Sequence, residues 1–273
     1  MTRNSGKLVA VRLEQIEVGD GASLVFLHGF PDHPPTARPF LAELARRDRR
    51  VIAPWLRGYA PSPRAGPYDL RTLAGDIAEL IDGLGGPVDL VGHDWGAAIA
   101  YGVCALFPER VRRAATLALP HPATFLRRLR DPRQLRASWY MALFQLPGAG
   151  WIAPRIIDKL WREWSPGFTL DPARRDALHA CLAESMPAPL GYYRAMLPPV
   201  RLGKIATPLL QLHGAVDGCV LPPDGSDAHR FADRTLEIVP GAGHFLHLED
   251  PVGIAARIDA WLTTRSATSA PAP

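Results

Sequence analysis

One stretch in the first half of the chain, Val88 to Phe107, limits what the whole can fold into. Val88 to Val91 is a short continuous apolar run, with Gly85-Gly86-Pro87 before it and a glycine turn after it. Such a run reads as a strand covered on both faces. Trp95 to Phe107, beyond the turn, is apolar on nearly every side and reads as a buried helix. It is well short of the ~18–20 residues that a bilayer span requires. A buried strand that turns at once into a buried helix needs neighbours on both sides. A sheet between helical layers provides them.

The flanking sequence supplies those neighbours. Ser23 to Leu27, Val51 to Ala53, Ala114 to Leu119 and Leu209 to Leu212 are further short apolar runs, and Thr235 to Val239 alternates as a strand does. Leu8 to Val18 alternates as an edge strand or hairpin would. Between them lie helical periods. Thr36 is placed to cap a helix carrying Phe40, Leu41 and Leu44, and Asp69 to cap one carrying Leu73, Ile77, Leu80, Ile81 and Leu84. Asp250 and Pro251 start a last helix with Ile254, Ile258, Trp261 and Leu262 on one face. From about His121 to Pro199 the pattern changes to tryptophan-, proline- and arginine-rich helical stretches with no clear strand. A length of 273 residues, long for one domain and short for two, fits one α/β core with an insertion. The expected division is core over 1–120 and 200–266, a helical cap over 121–199, and a disordered tail of small residues and prolines over 267–273.

Composition narrows the function classes. Hydrophobic residues are 47% and charged residues 21%, the balance of a soluble globular chain. The charge of +4 and pI of about 9.2 come almost wholly from arginine, since the lysines are Lys7, Lys159 and Lys204. The pairs Arg46-Arg47, Arg49-Arg50, Arg112-Arg113 and Arg127-Arg128 sit among acids and match no nucleic-acid-binding motif, so they read as solvated helix faces. Neither a nucleic acid nor a membrane is expected as partner. Cys104, Cys181 and Cys219 are widely spaced, which argues against a disulfide framework and a zinc site and fits a reducing cytosol. Met1 to Glu14 lacks the apolar core of a signal peptide, so the expected location is the cytoplasm.

The chemistry is concentrated in four loops, each directly after an expected strand. Gly92-His93-Asp94-Trp95-Gly96 has the spacing of a nucleophile elbow, with Asp94 where serine is more usual. Taken alone it reads equally well as a strand–helix turn with a capping aspartate. His28-Gly29-Phe30-Pro31 can bring the Phe30 amide to the same point as the Trp95 amide, making an oxyanion hole. Gly214-Ala215-Val216-Asp217 and Gly241-Ala242-Gly243-His244-Phe245 follow, giving the chain order nucleophile, acid, base. The Gly-x-Gly-His context selects His244 over His247 as base. His28 and His93 are expected to hold loop and elbow by hydrogen bonds, and His33 and His121 to be loop residues. No H-E-x-x-H spacing occurs, and no metal or cofactor is expected.

In this combination the sequence resembles an α/β-hydrolase of the epoxide hydrolase and haloalkane dehalogenase group, over roughly residues 8–265. The resemblance implies a mostly parallel eight-stranded sheet flanked by helices, with an inserted helical cap. It also implies an aspartate nucleophile that forms an alkyl-enzyme ester, hydrolysed by histidine-activated water. Arg57-Gly58-Tyr59 matches a family loop that usually continues with glycine, where this chain has Ala60. Epoxide hydrolases carry two cap tyrosines that donate to the ring oxygen. Gly191-Tyr192-Tyr193-Arg194 and Trp139-Tyr140-Met141-Ala142-Leu143-Phe144-Gln145-Leu146-Pro147-Gly148 match their settings, which puts Tyr193 and Tyr140 in that role, with Tyr192 as the rival one residue away. Phe30 has no side-chain donor for a halide, and no arginine pair follows Asp94.

The expected function is therefore hydrolysis of a small apolar epoxide to a vicinal diol, with Asp94, His244 and Asp217 as triad. Phe30, Trp95, Trp139, Met141 and Phe245 are expected to line an apolar pocket. A haloalkane dehalogenase and a non-catalytic small-molecule-binding relative of the fold are the alternatives. The chain is compatible with a homodimer.

Overall fold

In the computed structural model, residues 11–263 are described. The expected disordered tail over 267–273 and the start of the Leu8–Val18 alternation lie outside them. Seven strands form one sheet in the order β1-β3-β2-β4-β5-β6-β7. They are β1 (Gln15–Val18), β2 (Ala22–Leu27), β3 (Arg49–Pro54), β4 (Val88–His93), β5 (Val111–Leu117), β6 (Leu209–Gly214) and β7 (Arg234–Val239). β1 is antiparallel to β3, and every other pairing is parallel. The expectation of eight strands is corrected to seven among the described residues. Before β1 the chain stays against the segment that follows β3. Trp55 N–H donates to Glu14 O at 2.8 Å, and Glu14 N–H donates to Ser62 Oγ at 2.9 Å. That segment prolongs an existing pairing and adds no strand beyond it.

Every residue of β4 and of β6 is buried, so both faces of the sheet are covered. Two packed helix pairs do this. α2 (Leu70–Gly83) packs on α3 (Trp95–Leu106), and α1 (Arg38–Ala45) packs on α11 (Pro251–Thr263). Asp69 caps α2 as its position predicts, accepting from the amides of Arg71 and Thr72 at 3.1 Å. Asp250 caps α11 through Gly253 N–H at 2.8 Å. Thr36 does not cap α1. Its hydroxyl pairs with His33 Nδ1 at 2.5 Å, and Ala37 occupies the cap position without a side-chain bond.

The arginine pairs are largely absorbed by the fold. Arg49 lies 2.8 Å from buried Asp89 and 3.0 Å from Asp259, and Arg112 reaches Asp89 from the other side at 3.1 Å. Arg46 bonds Glu43, and Arg50 pairs with Glu17 at 2.7 Å. Arg128 donates to the carbonyls of Leu221 and Pro222 at 3.0 Å.

Between β5 and β6 the chain runs through six helices and, among the described residues, no strand. They are α4 (Pro122–Arg128), α5 (Pro132–Ala137), α6 (Trp139–Gln145), α7 (Ala149–Trp164), α8 (Pro172–Ser185) and α9 (Leu190–Arg194). α10 (Leu246–Glu249) precedes α11. No described helix is long and apolar enough to cross a membrane.

Parallel strands put their carboxyl ends on one edge, where the loops that follow them converge. The tightest of these loops is the turn from β4 to α3. Asp94 adopts φ 51° and ψ −117°, a conformation that costs a non-glycine residue about 1–3 kcal/mol. It is held there by packing that leaves no room for side chains. A Cβ on Gly96 would stand 2.1 Å from Leu27 O, and one on Gly92 2.3 Å from Gly96 O. Gly96→Ala is accordingly expected to destabilise the protein by about 3 kcal/mol, because backbone cannot turn aside as a side chain can. Thermal denaturation should show the loss as a fall in Tm of about 6–12 °C.

Candidate active site

The four chemistry-bearing loops meet at the carboxyl edge of β2, β4, β6 and β7. The strained turn lifts Asp94 clear of the sheet, and its Oδ1 accepts from Phe30 N–H at 2.8 Å. The His28 ring ties the Phe30 loop down. Its Nε2 accepts from Leu56 N–H at 3.2 Å, so the proton sits on Nδ1, which donates to Gly29 O at 2.9 Å. His93 Nε2 donates to the carbonyl of His244 at 3.0 Å. His28 thus holds the Phe30 loop, and His93, next to Asp94 in the chain, holds the loop that carries His244.

His244 stands between two acids. Its Nδ1 donates to Asp217 Oδ2 at 2.9 Å, and its Nε2 faces Asp94 Oδ2 at 3.6 Å. Asp217 Oδ1 accepts from the amides of Cys219 and Val220 at 2.8 and 2.9 Å, which orients the carboxylate toward the imidazole. Burial opposes charge on the ring, but the Asp217 and Asp94 carboxylates override it and raise the His244 pKa to about 10. Burial would likewise push the Asp217 carboxyl up. His244 and His213 beside it prevail and hold it below the usual carboxylate range.

Above this edge lies a cavity that opens to solvent, with about 780 Å³ of empty space when the open solvent at its mouth is included. Asp94, Trp95, Tyr140, Met141, Tyr192 and Tyr193 are among its lining residues. Tyr140 comes from α6 and Tyr193 from α9, and their rings meet edge to face at 5.8 Å. The two helices are cross-linked reciprocally: Gln145 of α6 donates to Tyr193 O at 3.2 Å, and Arg194 of α9 donates to Phe144 O at 3.0 Å. The glutamine and arginine of the two sequence motifs therefore place the tyrosines beside them. The Tyr193 hydroxyl is buried without a hydrogen-bond partner, and its ring meets that of Trp95 at 5.1 Å. Tyr192 differs, since its hydroxyl donates to Arg57 O at 2.5 Å. Burial raises the pKa of Tyr140 and of Tyr193 well above the usual phenol value, and the Asp94 charge adds to this, so both stay protonated.

Three residues expected in the pocket are elsewhere. Trp139 is 37% exposed and lies under the Lys159 ammonium, 4.7 Å from its ring centroid. Its place at the start of α6 turns it to the outer side, while Tyr140, one residue on, faces in. Phe245 is buried behind His244, stacked on Trp161 at 3.8 Å. The Phe30 ring is packed against Phe144 and Tyr193 at 5.4 and 5.6 Å, so only its amide reaches Asp94.

Several supporting residues are not visible as motifs. The carbonyl of Trp164, at the end of α7, accepts from Gly218 N–H at 3.1 Å and from His244 N–H at 3.0 Å. Ser165 Oγ accepts from Phe245 N–H at 2.9 Å, and Trp161 Nε1 donates to Pro31 O at 3.2 Å. One helix of the insertion thus touches the acid, base and Phe30 loops. Gln134 and Cys219 are similar cases, because their signal is a contact between segments far apart in sequence. Among the described residues, Asp32, His93 and His247 form the one group spaced to hold a metal ion, with ligand atoms within 4.8 Å of one another. Burial lowers the pKa of both imidazoles and raises that of Asp32, and none of the three lines the cavity.

Known proteins of the same kind can be recognised. The profile described as "Alpha/beta hydrolase family" matches residues 24–257. Epoxide hydrolase 3 of Xenopus tropicalis is 30% identical over 88% of this chain and 72% of that protein. Epoxide hydrolase 4 of Homo sapiens is 31% identical over 84% of this chain and 68% of that protein. Among solved structures, an epoxide hydrolase from Bacillus megaterium superposes with a TM-score of 0.81 at 27% identity, covering 93% of this chain and 98% of that one. One of the epoxide hydrolases from metagenomes of hot environments gives 0.82 at 30% identity, covering 93% and 96%.

The charge balance at His244 can be tested without any substrate. Asp94→Asn removes one of the two carboxylates that hold the proton on the ring. The His244 pKa should then fall below the value of about 10, as read by NMR titration of the imidazole. An unchanged titration would mean that Asp94 has no hold on the base.

Proposed function

The chain belongs to the alpha/beta hydrolase family, and on that premise we propose that it hydrolyses a small apolar epoxide to a vicinal diol through an ester on Asp94. The observation that carries this reading is the convergence of two protonated phenols, Tyr140 and Tyr193, on the cavity that also holds the Asp94 carboxylate. An oxirane needs a nucleophile at carbon and proton donors at oxygen, and this cavity offers them from opposite elements, the β4–α3 turn and the helical insertion. The helices between β5 and β6 act in this reading as a cap over Asp94. The three thiols, all free, support a reducing compartment such as the cytoplasm.

The reaction has two halves. In the first, an Asp94 oxygen bonds to a ring carbon while the carbon–oxygen bond opens, and a proton passes to the ring oxygen from the tyrosine pair. In the second, water adds to the Asp94 carbonyl carbon as His244 takes one of its protons. The amides of Phe30 and Trp95 receive the charge on the tetrahedral oxygen. His244 returns its proton to the departing diol oxygen, and the other proton of the water restores the phenol.

The two halves ask opposite things of His244, and Asp94 supplies the change. While Asp94 is a carboxylate, the ring is held protonated. Once Asp94 is esterified, its charge is gone, the hold on the proton weakens and the ring releases that proton to solvent, taking one up again when the Asp94 carboxylate is restored. The imidazole becomes a base at the moment a base is needed.

Single turnover in oxygen-18 water should place the heavy oxygen in Asp94 and leave the first diol unlabelled, as read by mass spectrometry of the peptide and the product. Label in the first-turnover diol would show that water attacks the substrate directly. The tyrosines are tested by Tyr140→Phe combined with Tyr193→Phe. Alkylation should slow by at least about 100-fold, the low end for loss of positioned acid catalysis. Near-normal rates in that double variant would return both rings to a packing role.

A further inference from the structure

Cys219 is fully buried, with its sulfur 3.3 Å from the Tyr140 hydroxyl. Its backbone is fixed from two sides. The amide donates to Asp217 Oδ1 at 2.8 Å, and the carbonyl accepts from Gln134 Nε2 at 2.9 Å. Gln134 belongs to α5, and its Oε1 accepts from Leu221 N–H at 2.9 Å, so the insertion grips this short segment twice. The sulfur is therefore held in place beside the phenol. Burial raises the thiol pKa well above its ordinary value, with the Asp217 and Asp94 charges adding to it, so sulfur keeps its proton.

Either partner of an S–H and O–H pair can donate. Charge bears on both groups, since the Asp217 and Asp94 carboxylates act on the thiol and Asp94 acts on the phenol. The Asp94 carboxylate acts on Tyr140 from the cavity side, and a hydroxyl dipole turns its hydrogen toward an anion. Turned that way, the phenol oxygen presents a lone pair to sulfur, and a thiol is a weak but competent donor.

We propose that Cys219 is a positioning residue whose S–H donates to the Tyr140 oxygen, aiming the phenol hydrogen into the cavity and steadying the oxygen as that hydrogen leaves. The proposal rests on the epoxide reading above. In ring opening, the bond from Asp94 to carbon forms, the carbon–oxygen bond breaks, and the Tyr140 proton goes to the ring oxygen. The charge left on the phenol oxygen is met by the S–H, whose own proton stays on sulfur. Water consumed in the second half restores the phenol. Cys219 does not line the cavity and acts on the substrate only through Tyr140.

Infrared spectroscopy of the resting enzyme tests the contact apart from activity. The S–H stretching band that disappears in Cys219→Ala should lie lower in the native protein than in Tyr140→Phe, because a donating thiol has a weakened S–H bond. An identical frequency in the two would overturn the proposal. Rapid-mixing single turnovers test the consequence. Cys219→Ala should slow alkylation about tenfold, the scale of one lost hydrogen bond, and leave ester hydrolysis unchanged. Cys219→Ser, which keeps a donor, should recover alkylation to within about threefold of the native rate. In a Tyr140→Phe background, Cys219→Ala should have no further effect. Unchanged alkylation in Cys219→Ala, or equal slowing of both steps, would overturn the proposal. If the native enzyme turned over no epoxide, the reading of its function would fail, and the infrared comparison would still decide whether the thiol donates.

Discussion

His244 lies 2.9 Å from one buried carboxylate and faces a second at 3.6 Å, and much of the surrounding structure serves to keep these three groups together. Buried charges are tolerated only when paired and hydrogen-bonded. Asp217 meets this condition through two backbone amides and His244, and Asp94 through the Phe30 amide. Each of those amides sits on a loop after a parallel strand. The sheet therefore does more than support the site. It brings four loop ends close enough for one imidazole to be shared by two acids.

The insertion contributes rigidity as well as tyrosines. α6 and α9 are joined by side chain-to-backbone bonds in both directions, from Gln145 and from Arg194. α7 closes on the core through Trp161, Trp164 and Ser165, and α5 through Gln134. The helices that carry Tyr140 and Tyr193 are thus fixed relative to Asp94 by bonds other than those of the two hydroxyls. That leaves both phenols available to a ligand, with Tyr192 diverted to Arg57 O.

What was legible in the sequence follows from what each signal depends on. β4, α3 and the turn between them could be read because burial and tight packing act locally on composition, and Gly92 and Gly96 have no alternative. Asp69 and Asp250 could be read as caps for the same reason. Thr36 does not follow its cap position because His33, three residues earlier, competes for its hydroxyl. The tyrosines are legible only through the family resemblance; in the structure the Tyr192 hydroxyl goes to Arg57 O and the Tyr193 hydroxyl is buried without a partner. Residue type alone puts Trp139 and Phe245 in the pocket. Which way a ring faces depends on a helix phase that composition does not record. Gln134, Cys219 and the α7 contacts link segments distant in the chain, so no local pattern announces them.

The bond pair at the end of α7 bears on how a ligand enters. The Trp164 carbonyl accepts from both Gly218 and His244, one amide on the loop of Asp217 and one on His244 itself. Swinging the whole insertion outward would pull that carbonyl away and disturb the imidazole with it. Entry and exit must then be carried by the parts of the insertion that lie away from α7. The cavity reaches outward past Met196, Pro199 and Val200, where the chain leaves α9 for β6. In that arrangement the Asp217–His244 pair stays assembled while a ligand passes the segment after α9.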